Sequence, residues 1–146
     1  MVQFNEGMEI TINGEENLDK VVSAYLEIAG HVKTAFLHGD LGAGKTTFVK
    51  KLASMLGSDE EASSPTYSLV NEYVVPNGKL YHIDLYRLND THEAQDMGIE
   101  EYLDSGDYCM IEWPDIIEHL VEQAVTIRIE ALADNSRKFK IEMVNP

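Results

Sequence analysis

An α/β fold, with a parallel centre and antiparallel strands added at its edges, is what this 146-residue sequence predicts on three observations. The run Thr34-Ala35-Phe36-Leu37-His38 is short and apolar, as a buried strand is, and a Gly-rich segment follows it directly. Beyond Lys45 the period changes, with Phe48, Val49, Leu52, Ala53 and Leu56 on one helical face and Gly57 as the stop. Two pairs of strand-like runs, 68–75 with 79–84 and 125–130 with 138–143, have connections too short for a crossover, so each reads as an antiparallel hairpin.

The other elements follow from the same patterns. Met8 to Ile12 alternates and reads as an edge strand. Asn13, with Glu16 three residues later, predicts a capped start for a helix through Leu18, Val22, Tyr25, Leu26 and Ala29, closed by Gly30. Pro76-Asn77-Gly78 turns the first hairpin, and Asp134-Asn135-Ser136 turns the last, which is expected at a sheet edge. Residues 90–105 are polar with scattered apolar anchors, a pattern of short helices, and Tyr108-Cys109-Met110-Ile111 is another buried strand. No linker, repeat or low-complexity tract divides the chain, so residues 1–146 are expected to form one domain.

Composition removes several functions. Eleven basic residues stand against 26 acidic ones, for a net charge of −15, which leaves little positive surface for a nucleic-acid backbone. The acids are scattered apart from Asp59-Glu60-Glu61, read as a solvated loop. No apolar stretch is long enough to span a bilayer and no signal-peptide pattern is present, so no membrane association and a cytoplasmic location are expected. The single Cys109 excludes an internal disulfide framework, and its apolar neighbours predict a buried, inert thiol.

The Gly-rich segment carries the chemistry. Gly39-Asp40-Leu41-Gly42-Ala43-Gly44-Lys45-Thr46 fits G-x-x-x-x-G-K-S/T, the phosphate-binding loop, and lies between strand and helix as that loop must. Glycines allow successive backbone N–H groups to turn inward on phosphate oxygens, and the positive end of the following helix dipole points to the same place. Lys45 is expected to reach the outer phosphates and Thr46 to hold Mg²⁺, with Thr47 beside it. A negatively charged chain repels ATP, so Lys45, Mg²⁺ and the oriented amides must supply the compensating charge. The motif makes the expected fold P-loop NTPase-like, in three layers.

Around this loop the individual residues each leave two readings. Asp84 and Glu112 follow apolar strand runs, where a carboxylate meets the loop if the strands are parallel to it. Asp84 is assigned to Mg²⁺, directly or through water, and Glu112 to the attacking water or the metal; the alternative for each is a surface acid ending a strand. Ser64-Pro65-Thr66 is ordinary turn chemistry, unless Thr66 senses a γ-phosphate as switch threonines do. Arg87 either pairs with an acid or touches phosphate, and Trp113 either stacks on a nucleotide or partner or packs at the rim. His38 and His82 flank the strands and read as structural.

Taken together, Gly39 to Phe48, Ser64-Pro65-Thr66-Tyr67, His82-Ile83-Asp84-Leu85-Tyr86-Arg87 and Ile111-Glu112-Trp113-Pro114 have the order and spacing found in the bacterial TsaE (YjeE) ATPases, and the chain resembles that family from about Thr34 to Pro114. Tyr67 departs from the commoner Phe. The resemblance implies a cytoplasmic ATPase, using ATP and Mg²⁺ and yielding ADP, that serves synthesis of threonylcarbamoyladenosine in tRNA. It implies docking on a TsaB–TsaD pair, with tRNA met only through those partners. It carries Thr66 to a switch-like contact, Asp84 to the Mg²⁺-linked acid, and Glu112 and Trp113 to ATP turnover. A nucleotide-gated binding module, with incidental hydrolysis, is the alternative. A small-molecule kinase is disfavoured by the scarcity of cationic side chains in the central region.

Overall fold

Seven strands form one sheet in the order β1-β7-β6-β2-β5-β4-β3 in the computed structural model, which describes residues 7–40, 42–59 and 69–146. The strands are β1 (Met8–Ile12), β2 (Thr34–His38), β3 (Val70–Val75), β4 (Gly78–Asp84), β5 (Tyr108–Glu112), β6 (Ala124–Ala131) and β7 (Arg137–Val144). β2 is parallel to both β5 and β6, and β4 is parallel to β5; β3 and β7 join antiparallel to β4 and β6, and β1 antiparallel to β7. The expected parallel centre with antiparallel additions is therefore the observed architecture.

Period-2 alternation divides the strands between two apolar layers. On one face, Ala35, Leu37, Leu80, Met110, Val125 and Ile127 pack under α1 (Leu18–Ala29) and α2 (Lys45–Met55). Tyr25, Phe48 and Phe139 meet there, with Tyr25 edge-on to Phe48 at a centroid distance of 5.8 Å. On the other face, Phe36, Ile83, Cys109 and Ile111 pack with Ala94 of α3 (Thr91–Asp96) and Ile99 of α4 (Ile99–Leu103). Helices thus cover both faces, giving three layers. No helix among the described residues is long and apolar enough to cross a membrane.

Two local expectations are corrected. The Asn13–Glu16 capping pair does not start α1: a 3₁₀ turn over Glu15–Asn17 precedes it, capped by extended Gly14, and Asn17 at the N-cap of α1 makes no side-chain capping bond. The tertiary position of the chain entering from β1 overrides the local signal. The last hairpin is not at the sheet edge, because β1 pairs along the outer side of β7 from Met8↔Ile141 to Ile12↔Arg137. An exposed row of backbone donors on β7 is covered by the first strand of the chain. The expected short helices between 90 and 105 are α3 and α4, the first capped by the Asp90 carboxylate on the Glu93 N–H.

Candidate nucleotide site

The phosphate loop joins the end of β2 to the start of α2, at the edge of the sheet where β4 and β5 also end. This convergence is what parallel strands produce: each delivers its last residue to the same rim. Ala43 closes a tight turn by donating its N–H to the Asp40 carbonyl at 2.9 Å. Gly44 caps α2 with φ +116, a left-handed conformation that side chains disfavour. Gly39 is required for a different reason, since a Cβ there would lie 2.7 Å from the Ile129 carbonyl of β6. The first turn of α2 carries no acidic residue, so its positive dipole end is uncancelled. Leu41 and Thr66, both expected at the site, lie outside the described residues, as do Glu60 and Glu61.

Lys45 does not hang free. Its ammonium donates to the Gly39 carbonyl at 2.7 Å and pairs with Glu112 Oε1 at 3.2 Å, so it folds back across the mouth of its own loop. Glu112 is buried at 8% exposure and is held from the other side by His82, whose Nε2 lies 2.6 Å from Oε2. Both carboxylate oxygens therefore have protein partners. Burial alone pushes the Glu112 carboxyl up, but the hydrogen bonds and charges of His82 and Lys45 outweigh it and leave the group below its ordinary value. A carboxylate is thereby kept ionised inside the protein beside the loop.

Strand register explains this meeting. Parallel pairing sets Asp84 opposite Glu112 and His82 opposite Met110. His82 and Asp84 are two residues apart, and so are Met110 and Glu112, so all four share the face toward α2. Asp84 stands at the exposed end of β4, and one carboxylate oxygen accepts the Tyr86 N–H at 3.0 Å. Trp113, immediately after Glu112, has φ +57, an unusual conformation for a non-glycine residue. That backbone turn separates neighbours in sequence: Glu112 stays inside while Trp113, 49% exposed, stands over the site. Its ring lies 5.9 Å from the Lys45 ammonium and 5.0 Å from the ring of Tyr86.

A cavity of about 540 Å³ is lined by Lys45, Thr46, Thr47, Asp84, Glu112 and Trp113. These six were expected from sequence, and the fold collects them from α2, β4, β5 and the residue after β5; Tyr86 lines the same cavity and was not expected there. A second cavity of about 400 Å³ lies along the other side of the loop, between Gly42–Gly44, Leu18, Asn135 and Phe139. The donors fit Mg²⁺ better than a softer ion: Thr46 and Asp84 offer hard oxygens on the rim, as an ion held mostly by phosphate and water needs. Among the described residues no group of three or more His, Cys, Asp or Glu could cage a metal by itself. Glu112, with both oxygens engaged, is less available as a direct ligand than Asp84.

Three contributors were not legible as site residues. His82 reads as structural in sequence, yet its spacing of two from Asp84 on one strand was a usable signal. Tyr86 packs on Trp113. Arg137 reaches across from β7, its Nε donating to the Ala43 carbonyl at 2.9 Å and its Nη1 to the Asn135 carbonyl at 3.2 Å. Nothing local announces it. The guanidinium is committed to backbone carbonyls of the loop and of its own turn. Arg87, by contrast, is exposed, and no hydrogen bond or ion pair holds it among the described residues.

Comparison with known proteins matches this arrangement to one family. A family model described as threonylcarbamoyl adenosine biosynthesis protein TsaE matches residues 12–139. The chain belongs to the TsaE family. It is 39% identical over 140 residues to the tRNA threonylcarbamoyladenosine biosynthesis protein TsaE of Bacillus subtilis, covering 92% of this chain and 84% of that one. It is 42% identical over 107 residues to the protein of the same name from Haemophilus influenzae, covering 73% and 67% of the two chains. A crystal structure described as Bacillus subtilis YdiB superposes with a TM-score of 0.71 at 26% identity, over 99% of this chain and 90% of that one. The TsaE match includes the loop, both carboxylates and Trp113, and also the N-terminal helix that the sequence motifs left outside the resemblance.

Proposed function

We propose that this chain is the Mg²⁺-dependent ATP-binding and ATP-hydrolysing subunit of the machinery that makes threonylcarbamoyladenosine in tRNA, acting through a TsaB–TsaD-type pair. The observation that carries the reading is the contact of Lys45 with Glu112 at the mouth of the phosphate loop. It joins the group that would grip phosphate to Glu112, the one buried carboxylate among the described residues, which is suited to orient water. On this reading the loop amides of 39–46 and Lys45 hold the phosphates, and the nucleoside lies in the cavity beside Gly42–Gly44, between Leu18 and Asn135. Mg²⁺, held by Thr46 and Asp84, supplies charge neutralisation at the outer phosphates. Glu112 orients the attacking water and takes its proton, and Trp113 shields the site from bulk solvent. Thr66 acts as the switch contact.

Catalysis requires Lys45 to leave Glu112 for the phosphates. On this reading turnover by the chain alone is slow and rises when the partners dock. A net charge of −15 accords with tRNA being gripped by those partners in the cytoplasm rather than by this chain. ATP hydrolysis with Mg²⁺, measured with and without a TsaB–TsaD pair and with Lys45→Ala as the blank, tests the reading. Low basal turnover that rises with the pair supports it; turnover indifferent to the pair overturns the partner-gated part.

The same doubly held Glu112 favours one second reading, a nucleotide-gated binding module in which hydrolysis is incidental. Glu112→Ala separates the two. Modification that survives loss of hydrolysis in a reconstituted system supports the module; modification that stops with hydrolysis supports the ATPase.

A further inference from the structure

His82 is a buried polar side chain, 5% exposed, whose only hydrogen bond among the described residues is to Glu112. Its other ring nitrogen, Nδ1, is buried with no partner there. A core position that leaves a polar atom unsatisfied is a cost that an apolar residue would avoid, and Met110, its neighbour across the strands, is apolar. The imidazole is therefore poorly explained by packing. What it does have is a short bond to the carboxylate oxygen that Lys45 does not hold.

The two partners of Glu112 differ in what they must do next. Lys45 is shared between Glu112 and the Gly39 carbonyl and sits at the end of a flexible stem at the mouth of the loop. Bound phosphate draws it away. His82 is held within β4 and has no other side-chain partner among the described residues. Once Lys45 has left, the bond from Nε2 to Oε2 is the remaining side-chain restraint on a carboxylate that has little contact with water. A catalytic base must be held within a few tenths of an ångström and some degrees of its working geometry, and a restraint that outlasts nucleotide binding is what that requires.

We propose that His82 is the positioning residue for Glu112, keeping the carboxylate aimed into the phosphate cavity after Lys45 transfers to the nucleotide. This rests on the hydrolytic reading above. It assigns His82 no contact with substrate and no proton transfer.

The test uses the full chain with a TsaB–TsaD pair. His82→Leu fills the space without a donor, and His82→Gln returns an amide N–H at a similar reach. Wild type, both variants and Lys45→Ala are compared for Mg·ATP turnover, for ADP affinity by Trp113 fluorescence (Trp113 being the single tryptophan) and for thermal midpoint. The expected result is a kcat about tenfold lower or worse in His82→Leu, with ADP affinity within about twofold of wild type, and recovery of most of kcat in His82→Gln. An unchanged kcat in His82→Leu, or equal losses in both variants with parallel losses of affinity, overturns the role.

A second measurement does not depend on turnover. The His82 Nε2–H proton, observed by NMR in ¹⁵N-histidine-labelled chain, is expected downfield and protected from exchange, absent in Glu112→Ala, and retained when a non-hydrolysable ATP analogue with Mg²⁺ is added. Loss of that signal on adding nucleotide overturns the positioning role and leaves the hydrolytic reading standing. Retention of the signal in a wild-type chain that shows no Lys45-dependent hydrolysis overturns the hydrolytic reading, and the catalytic purpose of the bond with it.

Discussion

Arg137 Nε donates a hydrogen bond of 2.9 Å to the carbonyl of Ala43, joining residues 94 positions apart in the chain. Through it the start of β7 braces the tightest part of the phosphate loop, and the same guanidinium holds the Asn135 and Ser136 carbonyls of the preceding turn. The loop is thus supported from α2 on one side and from the last hairpin on the other.

Arg137→Ala is expected to loosen the loop without unfolding the core. A charge-assisted hydrogen bond of this kind contributes about 1.5–3 kcal/mol, so nucleotide affinity should fall by about tenfold or more. Titration with ADP followed by Trp113 fluorescence measures it, and unaltered affinity would show that the brace is dispensable.

Gly39→Ala tests the close approach of loop and sheet. Its Cβ would meet the Ile129 carbonyl at 2.7 Å and the Ala43 Cβ at 3.2 Å, and a backbone carbonyl in a sheet gives way poorly. Overpacking of this kind costs about 1–3 kcal/mol, so urea denaturation should show a lower midpoint together with weakened nucleotide binding. A variant with normal stability and binding would mean that β6 shifts freely.

Acid should release the stability stored in Glu112. The folded value of its carboxyl lies below the ordinary 4.5, so the folded state binds this proton less readily than the unfolded chain. The contribution is fully present above the unfolded value and is lost as pH falls through the lower, folded one. Glu112→Gln should therefore be less stable than wild type near neutrality, with the difference shrinking below 4.5. A difference that stays constant over the whole acid range would count against the ion pair as its source.

Cys109 should be silent in the native chain. Burial in the sheet, with Asp107 nearby, pushes its thiol up to about 12 against the smaller opposing effect of Ser105. Labelling by a maleimide at mildly alkaline pH is expected to be slow when native and complete once urea unfolds the chain. Rapid native labelling would show that this part of the sheet opens to solvent.

Much of the molecule was legible because its signals are local. Alternation marked β1 and helical periodicity the face of α2, since one side of each must be apolar, while continuous apolar runs marked β2 and β5, which are buried on both faces. Short Gly-, Asn- and Pro-containing connections marked both hairpins. The phosphate loop was visible because its glycines and Lys45 answer a local backbone requirement. The Asn13–Glu16 signal failed because a cap contributes only about 1 kcal/mol, which the entry of the chain from β1 can override.

By itself, then, the sequence determined the α/β class, the Gly-rich loop between strand and helix, and which residues could serve as acids and metal ligands. Only the tertiary structure decided which of them meet. Parallel register set Asp84 beside Glu112, brought His82 to the same face, and left Glu112 buried between His82 and Lys45. The left-handed turn at Trp113 sent that ring outward over Lys45, and pairing of β1 and β6 with β7 carried Arg137 to the loop. The reason is physical: periodicity and turn chemistry act within a few residues, whereas register and burial are set by strands that find each other across the whole chain.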